Sequence, residues 1–435
     1  DQIKKQNDNL DIDLKKVKLH LDLKNISIKI KTKNPKIILK SSDQIKIDEI
    51  SSNISIYSYF QNKFAIKNLS IKTKNNKISS YIKFYTLTNN SLKLILLNQF
   101  LKGGMAQINI DLNFDDSGKI KNNYNLTGKI SNTELQIPKY KSITNINFSF
   151  NAKDKNYKFN KILFKFNDIN FNSNFLEINK KKDNFIVKGN LKNKRHKINS
   201  DIISLIFNDN LENFNFSNTK FESNSEFSFY INKKFKLKNL KIDSRINLDE
   251  LFLKYDLNRI KNYIINSNNL IKLKENKFHI IYSEKKIKIE GSSEFYLDEN
   301  FKNLIEFQIE KNKEKTSFKT SLNLNNLDLK FNDISYNKTK NDNANLIIQG
   351  FINEKKLFLK NINYKENENT IVLKNLEIKN NKIFNIDEIR LNFLSDNNFK
   401  NQINLVRNKN NFNLIGKSFD SIKLIENISN SENDN

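Results

Sequence analysis

Gln107-Ile-Asn-Ile-Asp-Leu-Asn-Phe114 alternates polar and apolar residues without a break. Successive side chains of an extended chain point to opposite faces, so Ile108, Ile110, Leu112 and Phe114 share one face and Gln107, Asn109, Asp111 and Asn113 the other. A helix would scatter these residues around its circumference, and the period of two predicts a half-buried strand. The pattern returns at Ile26/Ile28/Ile30, Ile146/Phe148/Phe150, Ile162/Phe164/Phe166, Phe227/Phe229/Ile231, Leu240/Ile242 and Leu327/Leu329/Phe331.

Turn-forming clusters such as Asn75-Asn76, Asp115-Asp116-Ser117-Gly118, Lys182-Asp183-Asn184 and Asn380-Asn381-Lys382 punctuate these runs. Their spacing, roughly 8–12 residues, is that of antiparallel meanders, and roughly thirty short strands fit. The 435 residues contain only 8 Gly and 2 Pro, so Asn, Asp, Ser and Lys must build most turns. Helical patterns are confined to Ser91 to Leu101, closed by Gly103-Gly104 as a C-cap, Leu257 to Ile265, and Asp420 to Ile428.

Those helices are too few to cover so much sheet, yet an apolar face must bury against something. The expected fold is mainly β: a long, curved, predominantly antiparallel sheet forming an elongated apolar-lined groove, with a few short helices. No linker composition interrupts it, so residues 1–435 are expected to form one elongated region, with weak subdivisions near 1–128, 129–256 and 257–435.

Composition narrows the function classes. The formal charge of +27 would suggest anionic partners, but only Arg195, Arg245, Arg259, Arg390 and Arg407 are arginines while Lys, Asn, Ile and Phe abound. That bias is what an AT-rich coding sequence produces, and without arginine to read bases no nucleic-acid partner is expected. Lysine runs such as Lys180-Lys181-Lys182 read as a solvated face and as edge protection, with contact to anionic headgroups as the other reading. No Cys is present, and no run of about 18 apolar residues could span a membrane as a helix. The chain opens at Asp1 without Met or a signal-like stretch, which reads as a portion of a longer protein.

Chemistry-bearing patterns are missing. His20, His196 and His279 lack metal-site spacing, and no nucleophile elbow, phosphate loop or dinucleotide fingerprint occurs. Asp115-Asp116 reads as a hairpin turn. A non-enzymatic protein with no cofactor and no metal is expected.

The segment Gly103-Gly104-Met-Ala-Gln-Ile-Asn-Ile-Asp-Leu-Asn-Phe-Asp-Asp-Ser-Gly118, followed by Tyr124-Asn-Leu-Thr-Gly128-Lys-Ile-Ser-Asn-Thr-Glu-Leu135, resembles the AsmA-like superfamily, especially its YhdP-type members, which are related to TamB-like β-groove lipid transport proteins. Runs that end in glycine at Gly189, Gly291, Gly350 and Gly416 repeat the cadence, and the likeness loosely covers most of the chain. The resemblance implies a periplasmic protein, anchored to the inner membrane in its full-length form, whose β-groove moves phospholipids toward the outer membrane, with envelope proteins as partners at the groove ends.

The groove lining on that reading is Ile26, Ile28, Ile30, Ile108, Ile110, Leu112, Phe114, Ile146, Phe148, Phe150, Phe164, Phe166, Phe227, Phe229, Leu327, Leu329 and Phe331. A structural or adhesive β-sandwich or solenoid with a dry core is the alternative. An outer-membrane barrel ranks below both, because the chain has no Trp for an aromatic girdle.

Overall fold

The computed structural model describes residues 10–39, 43–88, 99–136, 142–181, 184–198, 213–216, 218–232, 234, 236–254, 263–264, 270–297, 301–354, 356–380, 382–409, 411–423 and 425–426. Hydrogen bonds join 27 strands into one antiparallel sheet that does not close into a barrel, and a separate two-stranded sheet stands beside it. The fold is mainly β, as the alternation predicts. The chain divides into two compact units, residues 1–194 with 226–239 and residues 195–225 with 240–435.

In the first unit the strands Val17–Asp22, Ser27–Lys33, Gln44–Ser55, Ile66–Thr73, Leu101–Asn113, Asn125–Leu135, Ile143–Lys153, Asn156–Phe166, Ile169–Lys181 and Asn184–Lys197 pair in that order, each antiparallel to the next. Among the described residues, two helices of five residues or more interrupt the meander. Ile56–Phe60 is capped by Ser55, whose hydroxyl accepts from the Ser58 N–H at 3.1 Å. Ile78–Thr88 is longer and packs on the sheet.

In the second unit the order is Leu237–Lys254, Leu270–Ser283, Lys286–Tyr296, Asn303–Lys311, Thr316–Asn323, Ala344–Asn353, Lys356–Glu366, Asn369–Lys379, Glu388–Leu394, Lys400–Asn408 and Asn411–Ser418. Between Asn323 and Ala344 the chain leaves this sheet to form the small hairpin Leu329–Phe331 with Tyr336–Lys338.

The helix expectations fare worse than the strand pattern. Of Ser91 to Leu101 the described residues are 99–101, of which 99–100 are helical and Leu101 starts a strand; of Leu257 to Ile265 they are 263–264, and Ile264 bridges Leu329 in antiparallel fashion. Of Asp420 to Ile428, residues 422–423 and 425–426 are helical. Gly103-Gly104 is not a helix stop. It lies inside the strand Leu101–Asn113, at φ of 63° and 86°. A Cβ on Gly104 would fall 2.2 Å from the Thr133 hydroxyl, so close approach of the next strand explains the glycine.

The predicted turn at Asp115 holds: its carboxylate accepts from the N–H groups of Ser117 at 2.9 Å and Lys119 at 3.0 Å. These bonds hold the carboxyl below its usual range, the Ser117 hydroxyl contributing most.

Candidate binding face

Strand register sorts the side chains of each unit into two faces. In the first unit Ile110 lies opposite Ile71 on one side and Leu126 on the other, and Ile108 lies opposite Gly128, which in turn faces Phe150. Leu69 with Leu112, Ile50 with Ile71, and Phe159 with Leu176 extend the same face. In the second unit Ile280, Ile289, Ile309 and Phe318 form one cross-strand row. The next row runs Phe278, Gly291, Phe307, Thr320 and Ile348. The opposite face carries Lys288, Glu290, Glu306, Gln308 and Lys319.

Glycines inside these strands are sites of close aromatic packing. An added Cβ would lie 2.6 Å from the Phe150 ring at Gly128, 2.8 Å from Phe227 at Gly189, 2.4 Å from Phe307 at Gly291 and 3.1 Å from Phe318 at Gly350. Gly128, Gly291 and Gly350 are the direct cross-strand partners of those phenylalanines. A glycine has no side chain to pack, and a neighbouring ring laid over its Cα restores the lost apolar contact. The glycines therefore do not end strands, as the sequence cadence suggests; each strand continues beyond its glycine.

Asparagine shapes the first unit's sheet. A line of irregularities crosses adjacent strands at Gly103-Gly104, Asn132, Asn145 and Lys161, all at positive φ, and continues into the register break between Asn172 and Leu176. Bulges bend a strand and raise its twist, and leave ladder N–H groups without carbonyl partners. Asparagine side chains supply them. The Asn147 Oδ1 accepts from the Asn132 N–H at 3.1 Å, and the Asn190 Oδ1 accepts from Asn174 N at 3.0 Å, Phe175 N at 3.3 Å and the Ser173 hydroxyl at 3.1 Å. Asn190 is 6 % exposed, so these bonds replace water.

The apolar face of each unit is covered only in part. In the first, helix Ile78–Thr88 lays Ile78, Tyr81 and Ile82 over Leu101, Ala106, Ile108 and Ile130. In the second, residues 324–343 fold back so that Leu324, Leu327, Leu329 and Tyr336 pack on Phe295, Ala344, Tyr364 and Phe393. Among the described residues, no helix or second sheet of the same unit lies on the remaining apolar rows. There Ile280, Ile289, Phe307, Ile309, Phe318 and Ile348 stay half-buried.

A polar lock holds the second unit's cap down. Lys338 is 2 % exposed and donates to the carbonyls of Asn325 at 3.0 Å, Leu327 at 2.9 Å and Thr339 at 2.8 Å. Burial holds its ammonium below the usual lysine range. The Tyr336 hydroxyl donates to Glu366 at 2.7 Å and meets the Tyr364 hydroxyl at 2.9 Å. Burial raises both phenols well above the ordinary tyrosine value.

Part of the lysine-rich face is paired with carboxylates of neighbouring strands. Lys158–Glu177 at 3.2 Å, Lys286–Glu310 at 2.8 Å and Lys374–Glu388 at 2.8 Å pair across strands, and His279 bonds Asp243 at 2.8 Å. Such exposed pairs contribute about 0–1 kcal/mol each and describe a solvated surface. Among the described residues, no group of three or more His, Cys, Asp or Glu could hold a metal ion.

Most residues singled out by the alternation meet on the apolar faces. Ile28, Ile30, Ile108, Ile110, Leu112, Ile146, Phe148, Phe150, Phe164, Phe166, Phe227 and Phe229 are all half-buried strand residues of the first unit. Phe148 and Phe159 meet edge to face at 5.6 Å, and Phe164 stacks on Phe171 at 5.4 Å. Ile26 departs from the pattern: it precedes its strand at φ 45° and is 58 % exposed. Phe114 packs on Phe64 at the turn. Leu327, Leu329 and Phe331 belong to the cap or pack against it, closing the face from above.

The helix Ile78–Thr88 and the lock around Lys338 are not foreseen in the sequence. The spacing of Ile78, Tyr81 and Ile82 is a helical signal that the preceding strand pattern obscures. Nothing local marks Lys338 as buried. Family models, curated proteins and solved structures return no match to this chain.

Proposed function

We propose that this protein binds lipid acyl chains along the apolar face of its sheet and moves phospholipids between the inner and outer membranes of a diderm envelope without covalent chemistry. The supporting observation is the excess of apolar face over cover. Helix Ile78–Thr88 and residues 324–343 close only parts of their faces, and rows such as Ile280, Ile289, Ile309 and Phe318 remain half-buried with no covering layer among the described residues of their unit. Each methylene transferred from water to such a surface contributes up to about 0.8 kcal/mol, so two acyl chains dominate the affinity while the headgroup stays in water. The rows cross four or five strands with Thr320 as their one polar side chain, which suits sliding along a track better than capture in a pocket. The likeness to AsmA-like proteins supports the periplasmic setting and inner-membrane anchoring.

The test is gentle purification followed by native mass spectrometry and lipid extraction. Several phospholipids retained per folded chain are expected. A folded chain that carries none refutes the reading and leaves a structural β protein.

A further inference from the structure

The last strand of the second unit, Asn411–Ser418, pairs only with Lys400–Asn408 among the described residues, so its far side is an open edge. It has no proline, and its one register irregularity, which sets Ser418 opposite Gln402 and Gly416 opposite Ile403 and leaves Lys417 between them, falls after the run Phe412 to Gly416. Phe412, Leu414 and Ile415 are 47 %, 64 % and 65 % exposed.

Its backbone groups are oriented by the neighbouring strand. Arg407 donates its N–H to Asp387 on the side away from Asn411–Ser418. Its partner Phe412 is therefore in a non-hydrogen-bonded pair and turns its own N–H and C=O to the open edge, as do Leu414 and Gly416 two and four residues on.

Gly416, like Gly103 and Gly104, lacks the ring that covers the other strand glycines. Gly128, Gly189, Gly291 and Gly350 each lie under a phenylalanine from a neighbouring strand, whereas the space a Cβ would take at Gly416 meets only Gln402 and Ile403. The strand carries the missing ring itself. An antiparallel second copy centred on Leu414 would put Phe412 opposite Gly416 twice, once on each side of the axis. The same register sets Asn411 opposite Lys417, so no like charges meet.

We propose that Asn411–Ser418 is a self-complementary docking edge that joins a second copy of this chain about a two-fold axis at Leu414. Leu414 would exchange two main-chain hydrogen bonds with its counterpart, and each Phe412–Gly416 pair two more. The two apolar faces would then run on from one chain into the next.

Sedimentation velocity across a concentration series tests this: the sedimenting mass should double. A Leu414→Lys variant places two ammonium groups at the axis and should stay a single chain with unchanged circular dichroism, since the side chain is largely in water. The chain has no Cys, so Leu414→Cys offers a second readout. Opposed Cα atoms about 5.5 Å apart lie within disulfide range, and mild oxidation should give a covalent dimer. Ile415→Cys, equally exposed but displaced from its counterpart in this register, should not. A wild-type chain that stays monomeric at every concentration, a Leu414→Lys dimer, or equal cross-linking at 414 and 415 overturns the proposal.

Discussion

Replacing Ile110 by Asp places a carboxylate in the middle of the first unit's apolar face, between Ile71 and Leu126. An acyl chain lying across the strands covers about four methylenes per ~4.8 Å strand spacing. With one side of the chain against the sheet, that crossing contributes roughly 1.5 kcal/mol. Covering a carboxylate with hydrocarbon adds at least about 2 kcal/mol of uncompensated desolvation. The sum, about 3.5 kcal/mol, corresponds to a loss of more than about 100-fold in lipid retention at that crossing. Folding should survive, because Ile110 is only half-buried in the unliganded sheet. The assay is extraction of bound phospholipid, together with transfer of fluorescent phospholipid between vesicles. Gln107→Asp, exposed on the polar face of the same strand, serves as the control. Ile110→Asp that loads and transfers like the control, at unchanged circular dichroism, would refute the assignment of this face as the track.

Asn190→Ala removes the acceptor for three donors at the bulge beside Ser173, and a loss of about 2–3 kcal/mol in chemical-denaturation stability is expected, with Asn190→Asp largely restoring it. The phenols of Tyr336 and Tyr364 are raised in the folded protein, so above about pH 10 the unfolded chain loses these protons first and stability falls as pH rises. Lys338 acts in the opposite sense, because its lowered value makes stability rise with pH until the unfolded lysine is neutral near 10.5. Above that pH the raised phenols, Tyr81 and Tyr296 among them, all lower stability as pH rises, and Tyr336→Phe should make the fall less steep in urea titrations.

The strand alternation was legible in the sequence because side-chain direction in an extended chain is fixed locally, two residues per repeat. Ile108, Ile110 and Leu112 must share a face whatever the rest of the chain does. The turn at Asp115 was legible for the same reason, since a carboxylate reaching N–H groups two and four residues on needs no distant partner. The small number of helices is legible, and helical residues do fall at 99–100, 422–423 and 425–426, but the helix Ile78–Thr88 is not. Ile78–Thr88 follows directly on the two-residue strand Asn76–Lys77, where the two periodicities overlap.

Tertiary structure alone decided what each face meets. The glycines look like strand ends along the chain, yet each of Gly128, Gly291 and Gly350 is there because a phenylalanine of the paired strand lies over it. Gly103-Gly104 has the local signature of a helix stop and is set by the approach of Thr133, which is 29 residues further on than Gly104. Leu327 and Leu329 alternate like any strand of the sheet but fold over it, and Lys338 becomes a buried ammonium only because three carbonyls of the same excursion converge on it. Sequence fixes which residues share a face through local geometry. Which part of that face is closed and which stays open depends on contacts between segments far apart in the chain, and those no local period encodes.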